Sequence, residues 1–234
     1  MEIQFAEIMF FVIFAIAVII WGISLRMASR IGKQTVDDDD STNWQEPKTN
    51  PFDSETPSWN VRGTETIDCQ SAADAIQKLA KKAAEGMGNA NVANQYRIEK
   101  PAQNKLRVSS TTPAGINKAM MLYFDEAEFE ANARGSQNIE IEYRLSFDRL
   151  AKKTRRISLW IILALGLPVM LFGFTAIWFF VVQNENPAIR WQVFQSLQIC
   201  HVLWPPFLFL GLYKAAIRNA KNTVPNLLRS LAFQ

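Results

Sequence analysis

Apolar positions along the chain gather into three long runs with few charges, and a long polar stretch separates the first two. The first run covers residues 5–25, FAEIMFFVIFAIAVIIWGISL, enough at 1.5 Å per residue to cross a hydrocarbon core of ~30 Å. Its start, MEIQFAE, is acidic and the run is full length, which predicts an uncleaved signal anchor rather than a removable leader. The second run covers residues 157–182 and the third residues 191–213. The short polar turn at residues 183–190 makes these two a helical hairpin.

The polar stretch holds its own pattern. Residues 60–67 read as a strand. Ser71 is placed to cap a helix with Asp74 at its third position, and Ile76, Leu79, Ala80 and Ala83 follow at helical spacing up to Gly86 and Gly88. Residues 96–99 and 106–109 flank a turn at 101–104, and residues 121–131 and 139–147 flank a loop at 132–138, which predicts two hairpins. In the last strand Ile139, Ile141, Tyr143 and Leu145 alternate with Glu140, Glu142, Arg144 and Ser146, giving one buried and one wet face.

The expected fold class is an α-helical membrane protein with three transmembrane helices and a small cytoplasmic α+β domain, an antiparallel sheet plus one helix. The expected segments are an anchor at 1–33, an acidic, Pro-containing linker at 34–57, the α+β domain at 58–150, the membrane hairpin at 151–213 and an amphipathic tail at 214–234. The tail continues the third span as a helix that Pro225 should interrupt. Beyond it, Leu227, Leu228, Leu231 and Phe233 offer an apolar face to the membrane interface or to a partner groove.

Charge sets the orientation. Arg26, Arg30 and Lys33 follow the first run; Lys152, Lys153, Arg155 and Arg156 precede the second; Lys214, Arg218 and Lys221 follow the third. Arg190 alone falls on the opposite side. The positive-inside rule therefore puts the N-terminus outside and the middle domain and C-terminus in the cytoplasm, in a cell inner membrane. Trp21, Trp160 and Tyr213 then lie near the inner interface, and Trp178 and Trp191 near the outer one. The flanking cations are expected to meet anionic lipid head groups. Residues 34–151 carry 19 acidic and 13 basic residues, the reverse of a nucleic-acid reader. The run Asp37–Asp40 lies in the linker and reads as a solvated spacer; a sharper reading pairs it with Lys214, Arg218 and Lys221 on one helix side.

Candidate chemistry is sparse. The two cysteines and one histidine cannot build a disulfide framework or a Cys/His zinc site. No nucleophile elbow, P-loop, dinucleotide fingerprint or zinc-protease motif occurs. Glu126, Glu128 and Glu130 alternate along one strand, a solvated face rather than opposed catalytic carboxylates. His201 falls within the third run. An intramembrane imidazole is a functional candidate, as a haem or chlorophyll ligand or a quinone contact, although a polar bond to a neighbouring helix is the preferred reading. Pro168 and the pair Pro205-Pro206 read as ordinary kinks. Gly166 and Gly173 in the second run, and Ser196 and Cys200 in the third, offer close helix approach; Gln192, Gln195 and Gln198 offer interhelical hydrogen bonds.

The expected function is a non-catalytic membrane protein, an accessory or scaffold subunit that docks on other membrane subunits through its spans and its sheet domain. The first alternative is a subunit of a redox or light-harvesting assembly that binds a tetrapyrrole or quinone at His201. The second is a small transporter or membrane enzyme formed by a homo-oligomer.

Overall fold

A computed structural model describes residues 2–32, 58–87, 95–112, 122–135 and 138–233. The linker with Asp37–Asp40, together with Lys33 and Gly88, lies outside the described residues. The chain divides into two compact units, residues 1–31 with 152–212 and residues 32–151 with 213–234.

The second unit is a five-stranded sheet in the order β1-β5-β4-β3-β2, formed by β1 (Val61–Asp68), β2 (Tyr96–Ala102), β3 (Lys105–Ser110), β4 (Glu126–Ala133) and β5 (Asn138–Ser146), every neighbouring pair antiparallel. β1 and β2 are opposite edges, so α2 (Ala72–Ala84) crosses the sheet between them. Its start is as the sequence predicts: the Ser71 side chain accepts from the backbone N–H of Asp74. Its end is a left-handed turn at Gly86 (φ 84°), where the N–H of Met87 reaches back to the carbonyl of Lys82.

Alternation along the strands supplies the core. Leu106, Val108, Phe129, Ile139, Ile141 and Leu145 are buried on one face, under Ile76, Leu79 and Ala83 of α2. The second expected hairpin begins later than its sequence suggests, at Glu126. Tyr123, Phe124 and Asp125 precede it in irregular backbone and are themselves buried.

The C-terminal segment groups with the sheet unit. The helix α6 (Pro205–Arg229) runs through Pro225 without interruption, and residues 213–234 join the sheet unit. Pro225 cannot donate to the carbonyl of Lys221, but Lys221 is on the exposed side, where water can replace that bond. Ala216, Ala220, Val224, Leu228 and Leu231 form the buried side, and Arg229 makes two 3.0 Å bonds to Glu65 on β1. Of the residues expected to seek a membrane or a partner, Leu228 and Leu231 are buried inside the chain and Leu227 is half-buried.

Among the described residues two helices are long and apolar enough to cross a membrane, Phe5–Arg30 in the first unit and Asp148–Val182, which enters that unit at residue 152. The first lies in α1 (Glu2–Arg30), which buries Ala6, Phe10, Ile13, Ala17, Ser24 and Ala28, a seam at steps of three, four and seven residues. The second begins as α3 (Asp148–Trp160) and continues through π-helical turns at Ile161–Gly166, Val169–Gly173 and Trp178–Val182, with α4 (Phe174–Ile177) between the last two. Its buried residues, Thr154, Ser158, Ile162, Gly166, Met170 and Phe174, recur every fourth position. Phe10, Ile13 and Ala17 pack with Met170, Phe174, Val182 and Val193 in one apolar cluster.

The third apolar run differs from the single helix expected. After the turn and α5 (Pro187–Arg190), Trp191–Leu203 winds as a 3₁₀ helix, and α6 starts afresh at Pro205. The two adjacent prolines explain the restart, since neither has an N–H to carry a helix across Trp204 and the first helical turn is where proline is tolerated.

One glycine is needed for packing in the sheet unit. A Cβ on Gly63 of β1 would lie 2.3 Å from the Tyr143 hydroxyl oxygen and 2.4 Å from the ring carbon that bears it. Tyr143 is the cross-strand neighbour of Gly63 and is itself buried. Gly63→Ala should destabilise the sheet by about 1–3 kcal/mol. Amide exchange of β1 and β5 in the full chain should accelerate accordingly. Gly135→Ala, where no atom lies within 4 Å, should leave it unchanged.

Candidate functional site

Two polar arrangements stand out, one where the sheet hands over to a helix and one on the 3₁₀ segment. The first centres on Asp125, only 2% exposed. Its carboxylate accepts the Tyr123 hydroxyl (2.6 Å) and the backbone N–H groups of Arg149 (2.7 Å) and Leu150 (3.1 Å). Those two amides belong to the first turn of α3, where the helix has no internal acceptor for them. The Arg149 guanidinium in turn donates to the carbonyl of Ser110 at 3.1 Å.

On the neighbouring strand end, the side chain of Asn60 accepts from the N–H of Phe147, and Asp148 accepts from the N–H and hydroxyl of Ser58. Burial pushes the Asp125 carboxyl above the usual carboxylate range against the opposing effect of its donors. The Asp125 carboxylate is taken up by two backbone amides and Tyr123, and Asp148 by the N–H and hydroxyl of Ser58, so the arrangement anchors the start of a helix. The alternating pattern of the strand gave no sign of it, because Asp125 stands beside Glu126, Glu128 and Glu130 in sequence and yet precedes the strand.

Those three glutamates lie half-buried on the wet face, with Phe129 inward, as expected. They are matched with cations: Glu126 with Arg107 at 2.8 Å, Glu130 with Lys105 at 3.0 Å, and Glu128 between Arg107 and Arg144 in register. Cys69 is buried, and its thiol is pushed up by that burial, with Lys78 Nζ 3.9 Å from its sulfur. Among the described residues no three His, Cys, Asp or Glu side chains come together as a metal site.

The second arrangement follows from winding. A 3₁₀ helix has three residues per turn, so side chains three apart stand in line. On Trp191–Leu203 this sets Gln192, Gln195, Gln198 and His201 in one row, and all four are exposed. The row Val193, Ser196, Ile199 faces inward, with Val193 and Ser196 buried. Ser196 is tied down by its own hydroxyl, which donates to the carbonyl of Val193.

The small residues expected to meet other helices are used within the chain. Gly166 is buried, and a Cβ on Gly173 would lie 3.1 Å from the Ile199 side chain of the 3₁₀ segment. The side chain of Cys200 lies outside the described residues. The basic residues Arg26, Arg30, Lys152, Lys153, Arg155, Arg156, Lys214, Arg218 and Lys221 are all exposed.

Comparison with known proteins finds no matching family model, no similar curated protein and no similar solved structure.

The Asp125 cluster gives a pH signature. An acid whose pKa is higher in the folded than in the unfolded chain holds its proton more readily when folded. Its stabilising contribution is complete below the ordinary value of 3.8 and is lost as pH rises through the folded value. Asp125→Asn keeps an acceptor for the helix amides and removes the titration. The denaturant midpoint of the native chain relative to Asp125→Asn should fall as pH climbs from 3.8 toward neutrality, read by near-ultraviolet circular dichroism of the full chain. A difference that stays constant across that window would contradict the assignment.

Proposed function

We propose that this protein is a non-catalytic integral membrane protein, an accessory or scaffold subunit of a larger membrane complex. It crosses the cytoplasmic membrane three times with its N-terminus outside, the third crossing being made by the 3₁₀ segment and the first part of α6. The sheet unit lies in the cytoplasm, held there by the basic residues that flank each crossing.

The observation that carries this reading is the row Gln192, Gln195, Gln198 and His201, exposed on an otherwise apolar segment. In hydrocarbon an amide side chain without a hydrogen-bonding partner is costly, whereas one facing another helix contributes about 0.6–2 kcal/mol. Each glutamine both donates and accepts, so the row matches a partner helix that carries amide or hydroxyl groups at similar spacing. Gly173 of the second helix is covered by Ile199 of the same chain, and the glutamine row is the surface we assign to lateral docking.

Tagged protein extracted from its native membrane in mild detergent should run as a particle much heavier than small multiples of 26.6 kDa, with other chains present. The triple exchange Gln192→Leu, Gln195→Leu, Gln198→Leu should weaken that association by on the order of tenfold or more while the chain still inserts. A native protein that runs alone, or a triple variant that co-purifies unchanged, overturns the reading.

A further inference from the structure

The second apolar helix carries a groove of ≈ 660 Å³ lined by Lys152, Arg155, Arg156, Leu159, Trp160, Leu163 and Ala164. All seven lining residues belong to this one helix, so the groove is a shallow, open one along its outer face. The lining residues form two ridges of the same helix at four-residue spacing. One ridge is Lys152, Arg156, Trp160 and Ala164; the other is Arg155, Leu159 and Leu163. The helix turns this face away from its own buried stripe of Thr154, Ser158, Ile162 and Gly166, two positions round.

The groove is zoned along its length. Its first turn holds three cations, all exposed. Its middle holds the indole of Trp160, 63% exposed, and its far end holds Leu163, 51% exposed, beside the small side chain of Ala164. Cation, interfacial aromatic and aliphatic surface thus follow one another over three helical turns, about 18 Å at 1.5 Å per residue. That sequence matches a molecule with an anionic head and an acyl chain. The small Ala164 leaves room at the apolar end, and Pro168 one turn on has no N–H to offer its carbonyl.

We propose that this groove binds one anionic phospholipid, with its phosphate held by Lys152, Arg155 and Arg156 and an acyl chain lying along Leu159, Trp160 and Leu163. The site deepens the membrane reading and rests on it. It differs from a general attraction of basic flanks to an acidic surface in two respects: it uses three particular cations, and it sets a chain against one particular indole. Arg155 and Arg156 present planar forks that suit phosphate oxygens, and Lys152 adds a compact charge one turn earlier.

The test uses the full-length chain reconstituted in phosphatidylcholine vesicles with a minor fraction of phosphatidylglycerol, bromine being carried on the acyl chains of one lipid or the other. The Trp160 signal is the fluorescence difference between the native chain and Trp160→Phe. Brominated phosphatidylglycerol should quench that signal with a relative affinity at least about tenfold above brominated phosphatidylcholine. Combining Lys152→Gln, Arg155→Gln and Arg156→Gln should bring the two lipids to parity.

Equal quenching by both lipids in the native chain overturns the site and leaves the membrane reading standing. Quenching by neither overturns both. A preference that survives the triple glutamine exchange assigns it to the other basic flanks and overturns the site. Parity between lipids already in the native chain, combined with loss of a co-purifying subunit when the triple glutamine variant is extracted from its native membrane, assigns the groove to an acidic protein segment and overturns the lipid site as well.

Discussion

The carboxylate of Asp125 decides where one helix of this protein begins. A helix leaves its first amides without partners, and at α3 two of them, one buried and one part-buried, lie beside the end of the sheet. Asp125 answers both, and the Tyr123 hydroxyl secures its other oxygen. The arrangement has a cost, visible in the raised pKa of the buried acid. It is offset by the negative charge lying at the positive end of a helix dipole and by three donors aimed at it. The first turn of α3 is thereby tied to the end of the sheet.

Around that fixed point the apolar segments solve one packing problem in three ways. The buried residues of α1 recur with a seven-residue period, those of the second helix every four residues, and those of the 3₁₀ segment every three. An α-helix at 3.6 residues per turn would let a four-residue stripe drift by about 40° at each step. The π-helical turns at Ile161–Gly166, Val169–Gly173 and Trp178–Val182 widen the winding and hold the stripe nearer to one side. Local winding and burial period agree in each segment, which is why Met170, Phe174 and Val193 reach the same cluster as Phe10 and Ile13.

The sheet unit was largely legible in the chain. Strict alternation from Ile139 to Ser146, the Ser71 cap and the two hairpins are local signals, and local physics produced them. The parts that escaped depend on distant partners. Nothing near Leu228 and Leu231 says that they will be buried in the sheet unit instead of facing a membrane, and nothing near Asp125 says that it will meet the amides of residues 149 and 150. Pro225 misled for a related reason: a missing bond on an exposed helix side is tolerable, and exposure is a tertiary property. For the candidate docking row, the residue types were visible, but their alignment was not, because a helical reading at 3.6 residues per turn spreads them around the axis.

The 3₁₀ winding of Trp191–Leu203 also makes length and rotation interchangeable. At about 2.0 Å per residue its 13 residues extend ~26 Å, whereas the same residues as an α-helix would extend ~20 Å. Rewinding would therefore shorten the segment by roughly one α-helical pitch. It would also turn each successive member of the polar row by about 60°, bringing Gln192 and His201 to opposite sides of the axis. The row exists only in the stretched form, so any force that draws the two ends of this segment together erases it.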